Sequence, residues 1–304
     1  MPRRYDLGAL ARSSGQRRNR VGIRPIGSRS ADTDALRVII VGVIDGGAEE
    51  RAALLMAARG AQSRLTNDDL GFRDAMRQFR TSQDTRLGRA KGAIVGFVNR
   101  VIARFDGRWV QAVKAAIDID ISTVAQASDL QPTAALIVQK ITAGIQGLAS
   151  DVADGIEAGL ISLIVSGGTA KAQATLLLER VAKARKAAGR AAKGEMEALN
   201  AVLNEFRQTQ AGITEYEWWT REDERVRGNP GGPYPKARPS HYARHGQVFA
   251  WARPPERGHP GQDYGCRCVA RGIVRIRAEA VEPAPSRARA AGLRAVAGEL
   301  GLSI

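Results

Sequence analysis

The chain has 304 residues, 44 % of them hydrophobic, and a formal charge of +15. That length allows two domains or one domain with long extensions, and that apolar content allows a packed core. Two cysteines one residue apart exclude a disulfide framework and point to thiols in a reducing compartment, no apolar run approaches the ~20 residues of a membrane span, and no signal-peptide core follows the basic start. The positive charge draws polyanions, nucleic acid first and anionic membrane second, or else serves solubility alone. The expectation is a protein made and kept in the cytoplasm unless a larger particle carries it out.

Residues 1–30 hold eight arginines and one acid, Asp6. They read as a flexible basic arm, with Arg17, Arg18 and Arg20 as candidate contacts to nucleic acid or a partner. Asp32 or Thr33 could cap a first helix, although the β-branched run Val38–Val41 makes a short strand compete. Ala48–Arg59 and Asp68–Arg80 read as helices. Lys91–Trp109 is a stronger one, with Ile94, Phe97, Val98, Val101, Ile102, Phe105 and Trp109 at helical spacing.

In A-I-D-I-D-I-S, Ile117, Ile119 and Ile121 alternate with Asp118 and Asp120. Period two predicts an extended segment with both carboxylates on one face, and no third metal ligand lies nearby. Pro132 opens a helix with an apolar stripe from Leu136 through Val165. Gly167-Gly168 ends it, and Thr169 caps a long helix to Ala211, stopped by Gly212. The basic middle of that helix, including Lys183, Arg185 and Lys186, is a second candidate contact surface for phosphate.

After Gly212 the texture changes. I-T-E-Y-E-W-W, Q-V-F-A-W and G-I-V-R-I are β-compatible runs separated by Gly/Pro-rich turns. The predicted fold class is a mainly α N-terminal region of long helices (31–212) followed by a small α+β module (213–277), with 278–304 a tail that includes a short helix. All three histidines, both cysteines and three of four tryptophans lie in or beside this module. Its Cys/His set admits three readings. His241, Cys266 and Cys268, with His245 or His259 as a fourth, are the ligand types of a zinc clip, though the usual spacing is C-x₂-C twice and only one pair, a C-x-C, exists here. Cys266 with His241 as base is a nucleophilic pair. The leading reading is structural, with packed thiols and Arg267 and His241 satisfying buried polar groups; no cofactor is then expected.

The window also carries a specific pattern: Trp218 or Trp219 with Thr220, then Asp223, Arg225, Val226 and Arg227, then Ser240-His241, then Gly246, Val248 and Phe249, then Pro260-Gly261, and finally Cys266-Arg267-Cys268. It resembles the C-terminal signature of the phage Mu F-like minor head proteins, the head morphogenesis family. The lead-in Arg207–Tyr216 is similar as well. Gly228–Arg238 departs from the family pattern as an insertion. Only one of Trp218 and Trp219 can face the core, because adjacent strand residues point to opposite sides.

The resemblance implies a component of the virion head, near the portal, acting in head assembly, DNA packaging or ejection. It implies portal protein, major capsid protein and double-stranded DNA as partners, and no catalysis and no membrane. Arg225, Arg227 and Arg267 are then interaction or salt-bridge residues, with Asp223 their partner. The competing expectations are a Cys/His-dependent hydrolase or toxin-like effector, and a stand-alone DNA-binding protein.

Overall fold

The computed structural model describes residues 5–63 and 70–277. The tail 278–304 lies outside them. In chain order the elements are α1 (Leu7–Ser13), β1 (Arg20–Gly22), α2 (Ser30–Ile44), α3 (Ala48–Ser63), α4 (Leu70–Ile117), α5 (Gln131–Val165), α6 (Ala170–Gln210), β2 (Glu215–Trp219), β3 (Val248–Ala250) and β4 (Val269–Arg275). The class is the expected one, long helices first and then a small antiparallel sheet.

The three long helices pack on one another, and α2 and α3 lie against them. One core cluster joins α2, the second half of α4, α5 and α6 through residues such as Leu36, Phe97, Trp109, Ile141 and Leu199. A second fills the other end, where Phe72, Met76 and Phe79 of α4 meet Leu54, Ile156, Leu160 and Leu177. Gly159 of α5 sits where a Cβ would come within 2.8 Å of Leu176 Cδ1, so its missing side chain lets α5 and α6 approach. Thr169 caps α6 by accepting from Ala172 N, and Gly212 at φ 75° turns the chain out of it.

Three expectations change. The run Leu36–Gly42 is helical within α2, because Leu36, Ile40, Val43 and Ile44 fall on one buried face. The alternating Ile/Asp segment is no strand. α4 ends at Ile117, Asp118 takes φ 56°, and Asp120 accepts from Ser122 N at 2.8 Å in a reverse turn. Ile117 and Ile121 are buried for packing within that turn, which mimics period two without a sheet.

The basic segment is not a free arm over its described part, residues 5–30. Leu7 and Ala11 of α1 are fully buried, and so, nearly, are Ile23 and Ile26. β1 pairs antiparallel with β4, from Arg20↔Arg275 to Gly22↔Ile273. Asn200 and Asn204 of α6 both donate to the Ile26 carbonyl, at 2.6 and 2.9 Å. A few apolar side chains, a strand pairing and two buried amides offset the ordering entropy that composition alone suggested could not be met.

Candidate functional site

The sheet order is β1-β4-β2-β3, antiparallel throughout. One face is polar. Arg271 pairs with Glu217 at 3.2 Å and stacks over Trp219, and Arg275 pairs with Glu215. The opposite face carries Tyr216, Trp218 and Ala270, and it turns toward the end of α6. Gln208 of α6 fastens that face, donating to the Ala270 carbonyl at 3.0 Å and accepting from Trp251 Nε1 at 3.2 Å. Trp218 is therefore the core tryptophan, and Trp219 lies on the outer face.

Residues 220–247 and 251–268 contain no helix and no strand. Each loop returns to Trp218. The first brings His241, whose ring meets the Trp218 indole edge-on at 5.3 Å. The second brings Cys266 and Cys268. Cys266 Sγ lies 3.4 Å and Cys268 Sγ 3.8 Å from His241 Nδ1, and the three potential ligand atoms lie within 4.8 Å of one another. All three residues are buried. The other ring nitrogen, His241 Nε2, has no normal hydrogen-bond partner, and Asp263 Oδ2 faces it at 3.5 Å. Asp263 is held in turn by Arg227.

The two sulfurs share their protonation. A hydrogen bond from the Cys268 thiol pulls Cys266 well below the ordinary thiol range, with His241 assisting, and the neighbouring Cys266 sulfur pushes Cys268 up. Beside them is a cavity of about 20 Å³ walled by Arg221, Arg225, Arg227 and Arg267. That is room for one water and for nothing larger.

The remaining signature residues hold these loops. Arg267 makes a two-pronged contact to Asp223, with Nη1 to Oδ2 at 2.6 Å, which draws the Asp223 carboxyl below its usual range. Arg227 pairs with Asp263 instead, and Arg225 meets Asp223 only through its backbone N–H, at 3.1 Å. Val226 is buried. Thr220 Oγ1 lies 3.0 Å from His245 Nδ1. Ser240 Oγ accepts from Ala243 N, and Gly246 N donates to the Trp218 carbonyl. Pro260 and Gly261 are buried against α6, where Gly261 at φ 86° has its Cα facing Ala201 closely enough that a Cβ would come within 2.8 Å. Gly261 N also donates to Cys266 Sγ at 3.3 Å. The inserted residues close on themselves: Gly228 N donates to the Tyr234 carbonyl, and Tyr242 N to the Arg227 carbonyl. His241 thereby reaches the site despite the added length.

A second feature was not legible as a site. Arg24, Arg104, Arg108 and Arg221 line an open cleft of about 840 Å³ between the 24–28 segment and α4. A neighbouring cleft of about 420 Å³ shares Ser28 and Arg221 and adds Arg29, Lys193 and Arg267 together with the carboxylates Asp34 and Glu197. Burial first, and then the charges of Arg29 and Arg24, push Arg108 below its ordinary value. Among the described residues no carboxylate pairs with Arg24, Arg29, Arg108 or Arg221. The cations expected to make contacts are more scattered. Arg17 and Arg18 are exposed between α1 and β1, and Arg20 is exposed as the first residue of β1. Lys183, Arg185 and Lys186 are exposed on α6, with Arg185 bound to Asp45, Nε to Oδ1 at 3.0 Å.

Comparison with known proteins bears on the cysteine-histidine loops. Residues 232–271 match the family described as Phage Mu protein F like protein. The Mu F-like match holds Ser240-His241, Pro260-Gly261 and Cys266-Arg267-Cys268, while the Trp218–Arg227 part of the pattern precedes it. Over these residues the chain is similar to a phage protein family. An uncharacterized protein of Haemophilus influenzae is 30 % identical over 189 residues, which is 60 % of this chain and 39 % of that protein. The chain thus spans well under half the length of that relative. No solved structure matches the chain. Among the described residues no helix is long and apolar enough to cross a membrane.

Proposed function

We propose that this protein is a minor head protein of a tailed phage or prophage. It takes part in head morphogenesis next to the portal, with the portal, the major capsid protein and packaged double-stranded DNA as its partners. The observation that carries this reading is the Mu F-like match on the segment whose loops converge at His241, Cys266 and Cys268. The +15 charge and the cleft of Arg24, Arg108 and Arg221, which make no ion pair among the described residues, support contact with DNA phosphates.

The protein acts by binding and needs no catalytic step. Cys266, His241 and Asp263 do follow the order of a nucleophile, its base and an orienting carboxylate. Yet Cys266 is 3 % exposed and opens only on a one-water cavity, so no substrate carbonyl reaches the sulfur. The test is to tag the protein in its native phage or prophage and follow it through assembly. Recovery with purified portal, proheads and virions is the expected outcome. A protein absent from all three sinks the proposal.

A further inference from the structure

The two loops of the sheet module are long and irregular, and the apolar cluster beneath them is small, with only Tyr216, Trp218, Trp251, Cys266, Cys268 and Ala270 buried. A unit of this kind has little hydrophobic stabilisation of its own, and a cross-link between its loops is what such units use in compensation. His241 on the first loop and Cys266 and Cys268 on the second converge at the one place where such a link would join both loops to the Trp218 face.

We propose that His241 Nδ1, Cys266 Sγ and Cys268 Sγ bind a single zinc-type divalent metal ion. Thiolate and imidazole are the donors that zinc prefers, and the three atoms already lie within 4.8 Å of one another in a buried setting. Each thiol that ligates gives its proton to solvent, so two thiolates and a neutral imidazole balance the charge of the ion.

The remaining ring nitrogen fits the same arrangement. His241 Nε2 is buried without a normal partner, and Asp263 Oδ2 faces it at 3.5 Å. A metal-ligating histidine ordinarily directs its second N–H at a carboxylate, which fixes the tautomer and the ring orientation. Asp263, anchored by Arg227, is the positioning residue for that role. The cavity of about 20 Å³ gives the fourth position to a water, and its size keeps out any substrate. The ion is accordingly a fastener of two loops.

The full-length protein, dialysed against Zn(II) and then against metal-free buffer, is expected to retain stoichiometric zinc by elemental analysis. Cys266→Ser and Cys268→Ser should each lose it. Wild-type protein without zinc after this treatment, or a Cys266→Ser variant that keeps it, overturns the proposal. Because the serine variants could fail to fold, Co(II) is also added to the wild type. Intense visible bands of four-coordinate cobalt with near-ultraviolet thiolate charge-transfer absorption are expected. Cobalt bound without the thiolate absorption overturns the assignment. Asp263→Asn should keep the cobalt spectrum but weaken zinc about 10- to 100-fold in chelator competition; an unchanged affinity overturns the positioning role of Asp263. None of these measurements depends on head assembly, so this proposal and the head-protein reading fail separately.

Discussion

The Arg207 guanidinium lies flat against the Asp106 carboxylate, Nε to Oδ1 and Nη2 to Oδ2, both at 2.8 Å. Arg207 is fully buried. Nη1 donates to Gln210 Oε1 at 2.7 Å and to Asp129 Oδ2 at 3.2 Å, and Nη2 also donates to the Gln126 carbonyl at 2.7 Å. One side chain near the end of α6 thus joins α4 and the 3-10 turn Ala127–Leu130 before α5. Removing Arg207 leaves the Asp106 carboxylate buried without its counter-ion, and removing Asp106 leaves buried Arg207 with only the longer contact to Asp129. Arg207→Met or Asp106→Ala is expected to cost about 3–5 kcal/mol. The check is urea unfolding, where the midpoint should fall with little change in slope. The double variant Arg207→Met/Asp106→Leu should lose less than the sum of its parts, because the Asp106 charge is removed together with its partner while Asp129 keeps the bond from Gln210 Nε2 at 3.0 Å; strict additivity would contradict the pairing.

The two adjacent tryptophans should separate cleanly. Trp218 is 1 % exposed and packs on Phe249, His241 and both cysteines, so Trp218→Ala should cost about 3–5 kcal/mol and release the loops. Trp219 lies on the polar face under the Arg271 guanidinium at 5.1 Å. Trp219→Ala should cost closer to the about 0.5–1 kcal/mol of an exposed cation–π contact plus its partial burial. Thermal unfolding of the two variants gives the comparison, and equal losses would argue against the assigned faces of β2.

Both readings show which parts of the molecule local sequence carries. α5 and α6 were legible because apolar residues repeat every three to four positions and the breaks are chemical, at Pro132, Gly167-Gly168, Thr169 and Gly212, whereas the two separate helices expected over 68–80 and 91–109 are one helix, α4. β2, β3 and β4 were legible as β-branched and aromatic runs between turns. β1 was not, since Arg20–Gly22 offers one buried side chain, Val21, and its partner Ile273–Arg275 is far away in sequence. Asn200, Asn204, Arg207 and Gln208 form a polar stripe at helical spacing that reads as solvated but faces inward. Two asparagines four apart inside a helix, where Asn is a poor former, were the available signal. The cysteine-histidine cluster was nameable by residue type, whereas Asp263 behind His241 depends on how two loops fold and left no mark in spacing.

Acid should destabilise the Trp251 side of the module through His259. Its Nδ1 lies 2.8 Å from the Tyr216 hydroxyl, its ring is 4.7 Å from that of Trp251, and burial lowers its pKa. A histidine with a lowered folded pKa favours the neutral form when folded. As pH falls below the unfolded value of about 6.5, the unfolded chain takes up the proton first. This contribution is present above that pH and is lost as pH falls toward the lower folded value. Thermal midpoints measured from pH 7.5 down to 5 should drop, and His259→Gln should be less stable at pH 7.5 but lose less on acidification. A variant with the same pH dependence as the wild type would remove His259 as the cause.

The basic cleft leads to a prediction about salt. Arg24, Arg108 and Arg221 face one opening without a carboxylate partner among the described residues, and Arg29 raises the local potential further. Each phosphate neutralised by such a group releases condensed counterions, so the slope of log K against log salt measures how many are engaged. Replacing Arg24, Arg108 and Arg221 together by Ala should flatten that slope for double-stranded DNA by roughly 0.9 per lost contact and weaken binding for all sequences alike. Arg17→Ala/Arg18→Ala is the matched control, because those residues are exposed away from the cleft. Unfolding midpoints close to wild type are needed for both, since Arg108 also donates to the Gly27 carbonyl at 2.8 Å. If the control changes the slope and the cleft variant does not, DNA contacts run along the α1–β1 turn and the cleft serves another partner.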